Sequence, residues 1–177
     1  MILRLVPLAI FLVLAGFLAK GLTLDSSTIP SALMDKPAPE FSLPILGDSN
    51  TVISGAQLTG APYVLNVFAS WCVSCVTEHP HLVKLAEENS DILLVGLNYK
   101  DQSDEAQGWL NRFGNPFELV LEDNEGRVGI DWGVVAVPET FVVDGAGVVR
   151  FKHTGPLDQT IIDTEIKPLL VRLSAPG

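Results

Sequence analysis

The sequence predicts an α/β crossover domain carried behind an apolar N-terminal helix. Three observations point to it. Tyr63–Ala69 (YVLNVFA) and Ile92–Tyr99 (ILLVGLNY) are continuous β-prone runs without alternation, the pattern of strands buried on both faces of a sheet. Each is followed by a helical stretch, giving the strand–helix–strand–helix order of a crossover fold. Near the C-terminus the pattern changes to two β runs joined by Asp-Gly-Ala-Gly, which reads as a hairpin.

The N-terminus comes first. MILRLVPLAIFLVLAGFLAKGLTL has a positive flank (Arg4) and an unbroken apolar run from Leu5 to Ala19. Fifteen helical residues rise only about 22 Å against a hydrocarbon core of roughly 30 Å, short for a span and compatible with a cleaved signal. Continuation through Gly21, Leu22 and Leu24 reaches spanning length if Lys20 snorkels to the interface. Phe17 spoils the small-x-small cleavage pair ending at Ala19, leaving only the weak site Ala19-Lys20-Gly21. The expectation is therefore an uncleaved signal anchor over residues 1–24, a single pass with Arg4 inside and the following domain exported.

All 21 acidic residues follow this segment, against nine of the 11 basic ones, so the exported part carries a net charge of −12. A domain that acidic is a poor nucleic-acid binder; the charge reads as solubility. The chain's 177 residues suffice for one domain with a core and an appendage.

Residues 25–36 are polar and read as a tether, with an extended lead-in through Pro37 and Pro39 to a domain spanning residues 37–175. FSLPIL and NTVISG form a short hairpin around Gly47-Asp48. After the buried run at Tyr63–Ala69, a helix of about four turns is expected, with Leu82, Leu85 and Ala86 on its inner face and Pro80 bending its start. An amphipathic helix begins near Ser103 or Asp104 and stops at Gly114; FELVLED is a short strand. A last helix from about Asp158 to Leu173 presents Ile161, Ile162, Ile166, Leu169 and Leu170, with Pro168 predicting a break late in it.

The chemistry concentrates in VLNVFASWCVSCVTEHPHL, which holds the two cysteines of the chain, Cys72 and Cys75. In an exported domain two thiols usually make a structural disulfide, but such bridges stabilise by closing long loops, and a two-residue separation stabilises little. A Cys-x-x-Cys at a strand-to-helix junction has a different consequence. The first cysteine falls at the helix N-cap, where free N–H groups and the macrodipole favour a thiolate; the second lies one turn on, within reach of a mixed disulfide. Cys72 is thus expected as the exposed nucleophile, Cys75 as the buried resolving thiol, and Trp71 as a partly exposed aromatic wall. Metal binding by Cys72, Cys75, His79 and His81 competes with this reading. On a helix, however, His79 and His81 are about 200° apart, and a structural zinc site normally draws its second ligand pair from a distant segment, where no further cysteine exists, so no metal is assigned and both histidines read as a solvated helix face. Far along the chain, Pro138 stands before a buried strand. A cis bond at Val137-Pro138 would aim the backbone of Val137 outward to pair with an extended peptide beside the thiols.

FASWCVSC, a crossover region and VPETFVVDGAGVVRF together resemble the thioredoxin superfamily: a central mixed β-sheet flanked by helices, with a CxxC helix facing a cis-proline loop. NVFASWCVSCVTEHPHL, GLNYKD, GNPF, PETFVVDGAGVVRF and EIKPLL resemble, within it, the membrane-tethered cytochrome c biogenesis proteins of the DsbE/CcmG type, over about residues 35–172. The resemblance implies a periplasmic thiol:disulfide oxidoreductase of the bacterial inner membrane, with no cofactor beyond the Cys72–Cys75 redox pair. Its implied partners are apocytochrome c, whose haem-attachment cysteines it keeps reduced directly or through a partner thiol protein, and a transmembrane thiol-transfer protein that re-reduces it. Pro138 carries over as the cis-proline, and Glu78 and Glu139 as acids near the site, with Trp71, Val137, Pro138 and Glu139 facing substrate. The chain departs from the family in two places: Ala136 replaces a usual glycine, and the dipeptide Val73-Ser74 replaces Pro-Thr or similar. The alternatives are a general disulfide oxidase or isomerase on the same fold, or a tethered metal or haem chaperone. Many thioredoxins also place a buried carboxylate six residues before the first cysteine; here that residue is Asn66. Glu78, three residues after Cys75 and on its helical face, is the nearest candidate to accept the resolving thiol's proton. Carboxylates beside the thiols disfavour thiolate and push toward a reductant.

Overall fold

The computed structural model describes residues 6–22, 32–89 and 91–175, in two units divided after Pro30. The first holds α1 (Val6–Leu22), whose 17 residues include no acid and one base, Lys20. Among the described residues no helix is long and apolar enough to cross a membrane. The spanning length expected from the sequence requires continuation to Leu24, which, like Arg4 and residues 25–31 of the expected tether, lies outside the described residues.

In the second unit, β1 (Ser42–Ile45) and β2 (Asp48–Ser54) form the expected hairpin, turning through Gly47 at φ +84°, a conformation that favours glycine. A 3₁₀ turn (Gly55–Leu58) leads to β3 (Tyr63–Phe68), every residue of which is buried. Then come α2 (Val73–Glu88), β4 (Leu93–Tyr99), α3 (Ser103–Phe113), β5 (Leu119–Asp123) and the short α4 (Arg127–Asp131). The hairpin of β6 (Glu139–Val143) and β7 (Val149–Thr154) follows. The C-terminal helix is composite: α5 (Gln159–Ile161), a π turn (Ile162–Ile166) and α6 (Lys167–Ser174). The expected break at Pro168 takes this form, since proline offers no N–H and crowds the carbonyl four residues back, and a π turn just ahead of it loosens that register. Pro80 lies within the continuous α2.

The seven strands order as β2-β1-β5-β4-β3-β6-β7. The sheet is mixed: β3, β4 and β5 run parallel, and β6 runs antiparallel to β3. Alternation along β3 divides the core. Val64 and Phe68 face α2, α3 and the C-terminal helix, with Leu82, Leu94, Trp109, Phe117, Ile162 and Ile166. Tyr63, Leu65 and Val67 face the opposite layer with Phe41, Leu97, Trp132 and Phe141. The unalternating hydrophobic run thus reflects a strand covered on both sides. Asn66 shares the α2 face with Val64 and Phe68 by the same period of two.

Asp35 and Lys36, expected in the tether, are instead tied to the sheet. Asp35 N donates to Val149 O at 2.8 Å, Val149 N donates to Lys36 O at 3.0 Å, and Arg150 pairs with Asp35 at 2.8 Å.

Two consequences of topology locate the site. Parallel β3, β4 and β5 bring their carboxyl ends to one edge of the sheet, where ligands and active sites of α/β proteins gather. Because β6 is antiparallel to β3, with Glu139 opposite Val67, the loop entering β6 arrives at that same edge.

Candidate active site at the CxxC helix

Cys72 and Cys75 are joined by a disulfide at the start of α2. Cys72 is the N-cap, and Cys75 N donates to Cys72 Sγ at 3.1 Å, so the sulfur takes one of the helix's otherwise unpaired amide hydrogens. Cys72 was expected to be exposed; in the disulfide it keeps only 4% of its surface against 1% for Cys75. The cause is the loop entering β6: Val137 O lies 3.4 Å from Cys72 Sγ, and the Val137-Pro138 bond is cis. Pro138 is buried and Val137 half-buried. Trp71 stands out beside them at 55% exposure, its Nε1 donating to Lys100 O at 3.0 Å.

Helical spacing turns Cys75, Glu78, His79, Leu82 and Leu85 inward on α2. Glu78 is 1% exposed and reaches between β3 and the segment after β7. Asn66 Nδ2 donates to Glu78 Oε1 at 2.9 Å, and Leu157 N donates to Glu78 Oε2 at 2.8 Å. Asn66 also donates to Thr140 Oγ1 at 3.0 Å, the two residues being directly opposite across β3 and β6. Burial pushes the Glu78 carboxyl up to about 7, the Leu157 and Asn66 hydrogen bonds opposing it only in part. Glu78 thus lies one helical turn from Cys75 in the chain, with a carboxyl that can hold or release a proton near neutral pH.

Glu139, expected to face substrate, is fully buried. It accepts from Val135 N at 3.3 Å and Thr154 Oγ1 at 3.0 Å, and pairs with Lys152 Nζ at 3.0 Å. Its place is therefore beneath the Val134–Pro138 loop, holding it. His79, expected in solvent, is also buried, because it lies four residues from Cys75 on the same inward face. Its Nε2 donates to Gly114 O at 2.8 Å, and its ring meets Trp109 edge-on at 4.4 Å between centroids. Burial holds its pKa below the ordinary histidine value, against the Gly114 bond. With that ring so engaged, the C-x2-C-x3-H-x-H spacing does not converge on a point. Among the described residues no group of three or more His, Cys, Asp or Glu is placed to hold a metal.

Sequence reasoning missed Asp101. Its carboxylate, buried at the end of β4, accepts from Ser70 N at 2.6 Å, Ser70 Oγ at 2.7 Å, Asn98 Nδ2 at 2.9 Å and Gln102 N at 2.9 Å. The available signal was an acid just past the carboxyl end of a buried strand that runs parallel to the strand leading into the cysteines.

The Redoxin family profile matches residues 34–167. The chain is 47% identical over 168 residues to the thiol:disulfide interchange protein DsbE of Allochromatium vinosum, covering 95% of this chain and 92% of that protein. It is 43% identical over 169 residues to DsbE of Pseudomonas aeruginosa, covering 96% and 93%. Among solved structures, MTB dsbF in its mixed oxidized and reduced forms superposes with a TM-score of 0.65 at 28% identity, covering 82% of this chain and 99% of that one.

Proposed function

Because this chain belongs to the Redoxin family and, within it, to the DsbE thiol:disulfide interchange proteins, it is a thiol:disulfide oxidoreductase whose redox group is its own cysteine pair, and we propose that it works as a reductant in cytochrome c maturation. In the reduced protein, the Cys72 thiolate attacks one sulfur of a substrate disulfide. A Cys72–substrate disulfide forms, and the other substrate sulfur leaves as a thiolate. Cys75 gives its proton to the Glu78 carboxylate and attacks Cys72 Sγ. The Cys72–Cys75 disulfide forms, the mixed disulfide breaks, the second substrate sulfur leaves as a thiolate, and two electrons have passed from the Cys72/Cys75 dithiol to the substrate.

The observation that carries the reducing direction is Glu78, a buried carboxylate one turn from Cys75. It substitutes for the missing acid at Asn66, and Asn66 itself holds it. An anionic charge near the dithiol disfavours thiolate, whereas strong oxidants stabilise it with cationic surroundings. Trp71 and the Val137 backbone flank Cys72 as the surface a partner polypeptide meets, and Pro138 shapes that loop.

The substrate is the Cys-x-x-Cys-His disulfide of apocytochrome c, or a thiol protein that serves it; a transmembrane thiol-transfer protein returns the electrons. Residues 1–24 anchor the chain in the bacterial inner membrane with the domain in the periplasm, an assignment supported by the apolar, acid-free N-terminal run with Arg4 ahead of it.

Cys75→Ser expressed in a c-type cytochrome producer tests the reading. It leaves Cys72 joined to its partner as a stable mixed disulfide. Capture of apocytochrome c or a haem-pathway thiol protein is the expected result. A broad set of secreted proteins would replace it with general oxidation or isomerisation. One equivalent of zinc or copper bound to the reduced protein and lost in Cys72→Ala would replace it with metal carriage.

A further inference from the structure

We infer that Asp101 is a positioning residue for disulfide exchange, locking the Ser70–Trp71 corner so that Trp71 and Cys72 meet a partner as one fixed surface; this rests on the oxidoreductase reading above.

The Asp101 carboxylate takes four donors and is 95% buried, so each oxygen receives two hydrogen bonds. Two of the four come from Ser70, which lies between the end of β3 and Trp71. A carboxylate is the one side chain of this size with acceptors alone on both terminal atoms; an asparagine would set an NH₂ against two of these donors. The adjoining residue completes the clamp. Lys100 sits at φ +49°, unusual for a lysine, and this turn delivers its carbonyl to Trp71 Nε1 at 3.0 Å. Lys100 N in turn donates to Asp123 O at the end of β5. The corner ahead of the nucleophile is therefore fastened to the ends of two neighbouring strands.

Those bonds decide where the indole stands. Trp71 lies on the rim of an open cleft of about 550 Å³, shared with Gln102, Glu105, Trp109 and Arg112 of the α3 region, and Cys72 lies directly after it in the chain. With the corner released, an exposed tryptophan rotates freely, and each encounter with a partner must order both it and the N-cap cysteine. The Val137 loop guards one side of Cys72; the Asp101 clamp fixes the other.

The test is a double-mutant cycle on the full-length reduced protein, reading kcat/KM for reduction of a synthetic peptide with a Cys-x-x-Cys-His disulfide. Asp101→Asn and Trp71→Ala are each expected to lower it about tenfold, and the double variant no further than the weaker single, because one acts through the other. A double variant reduced about a hundredfold, or Asp101→Asn within twofold of the unsubstituted protein, overturns the inference. Fluorotryptophan NMR gives a readout that general destabilisation would not give. The Trp71 resonance shifts or broadens in Asp101→Asn, while that of Trp132, in the opposite core layer, stays; movement of both overturns it as well. If Asp101→Asn does not fold, Ser70→Ala and Trp71→Phe each remove one clamp bond and are expected to lower kcat/KM about threefold, an unchanged value in both overturning the proposal. Failure of the underlying activity looks different: the unsubstituted reduced protein would itself leave the peptide disulfide intact.

Discussion

Replacing Glu78 by glutamine separates the cost of a buried carboxylate from its use. In the folded protein the group titrates near 7 against an ordinary 4.5, chiefly because it is buried. The raised value means that the native state holds this proton more tightly than the unfolded chain does. Its contribution to stability is full below about 4.5 and is lost as pH rises through 7. At 1.36 kcal/mol per pH unit the difference amounts to about 3 kcal/mol of stability given up by ionised Glu78. Glutamine fits the same place. Its Oε1 can keep the Leu157 N–H, and Asn66, whose Oδ1 is buried without a partner, can flip its amide to accept from the new NH₂. Urea denaturation of the oxidised full-length protein at pH 5 and pH 8.5 checks this. The variant should gain on the unsubstituted protein by up to about 3 kcal/mol at the higher pH and little at the lower. Stopped-flow reduction of a substrate disulfide supplies the functional half: the rate should climb between pH 6 and 8 in the unsubstituted protein, and be slower and flat in Glu78→Gln. Parallel stability profiles together with an unchanged rate across pH would refute the reasoning.

The ion pair under the Val134–Pro138 loop makes a second prediction: Lys152→Met strands the fully buried Glu139 carboxylate and should cost about 3–5 kcal/mol in urea unfolding. Adding Glu139→Gln should return part of it, and a single-variant loss below about 1 kcal/mol would contradict the pairing. His79 gives the opposite pH sense to Glu78. Its pKa is lowered by burial, so its contribution is full above about 6.5 and lost on acidification below it. His79→Gln should therefore flatten the loss of stability between pH 7 and pH 5, and an unaltered slope would remove histidine from the account.

What the sequence makes legible follows from how local the deciding forces are. β3, β4 and β6 announce themselves because burial on both faces demands apolar residues at nearly every position. α3 ends where Gly114 adopts φ +93°. Cys75 and Glu78 come together by helix spacing alone. His79 shares that spacing, yet reads as a surface residue until α3 supplies Trp109 and the Gly114 carbonyl to enclose it. Five-residue α4 lacks a pattern of its own; the Asp123 carboxylate, receiving Val128 N at 3.3 Å and Gly129 N at 2.7 Å, fastens its start to β5. Glu139 is placed near the site by its neighbour Pro138, but its burial depends on Lys152 from the adjacent strand. Asp101 is the extreme case, since its partners Ser70 and Asn98 meet only once two strands lie parallel.

The two sulfurs of the site differ in their surroundings. Cys72 occupies the N-cap, where the Cys75 amide hydrogen and the helix dipole favour negative charge on sulfur. Cys75 lies deeper, one helical turn from the Glu78 carboxyl, which burial pushes up to about 7. In the proposed cycle, attack on a substrate begins at Cys72, the sulfur at the helix N-cap. On the same proposal, resolution follows transfer of the Cys75 proton to Glu78, which would convert a carboxylate into a neutral acid at the moment the second thiolate is needed. A single carboxyl can serve both stages only if its pKa is close to working pH. Burial puts it there, the Leu157 and Asn66 hydrogen bonds opposing it only in part, and so on the proposed reading the stability that Glu78 removes from the fold above neutral pH is the same quantity that fits it to accept a proton.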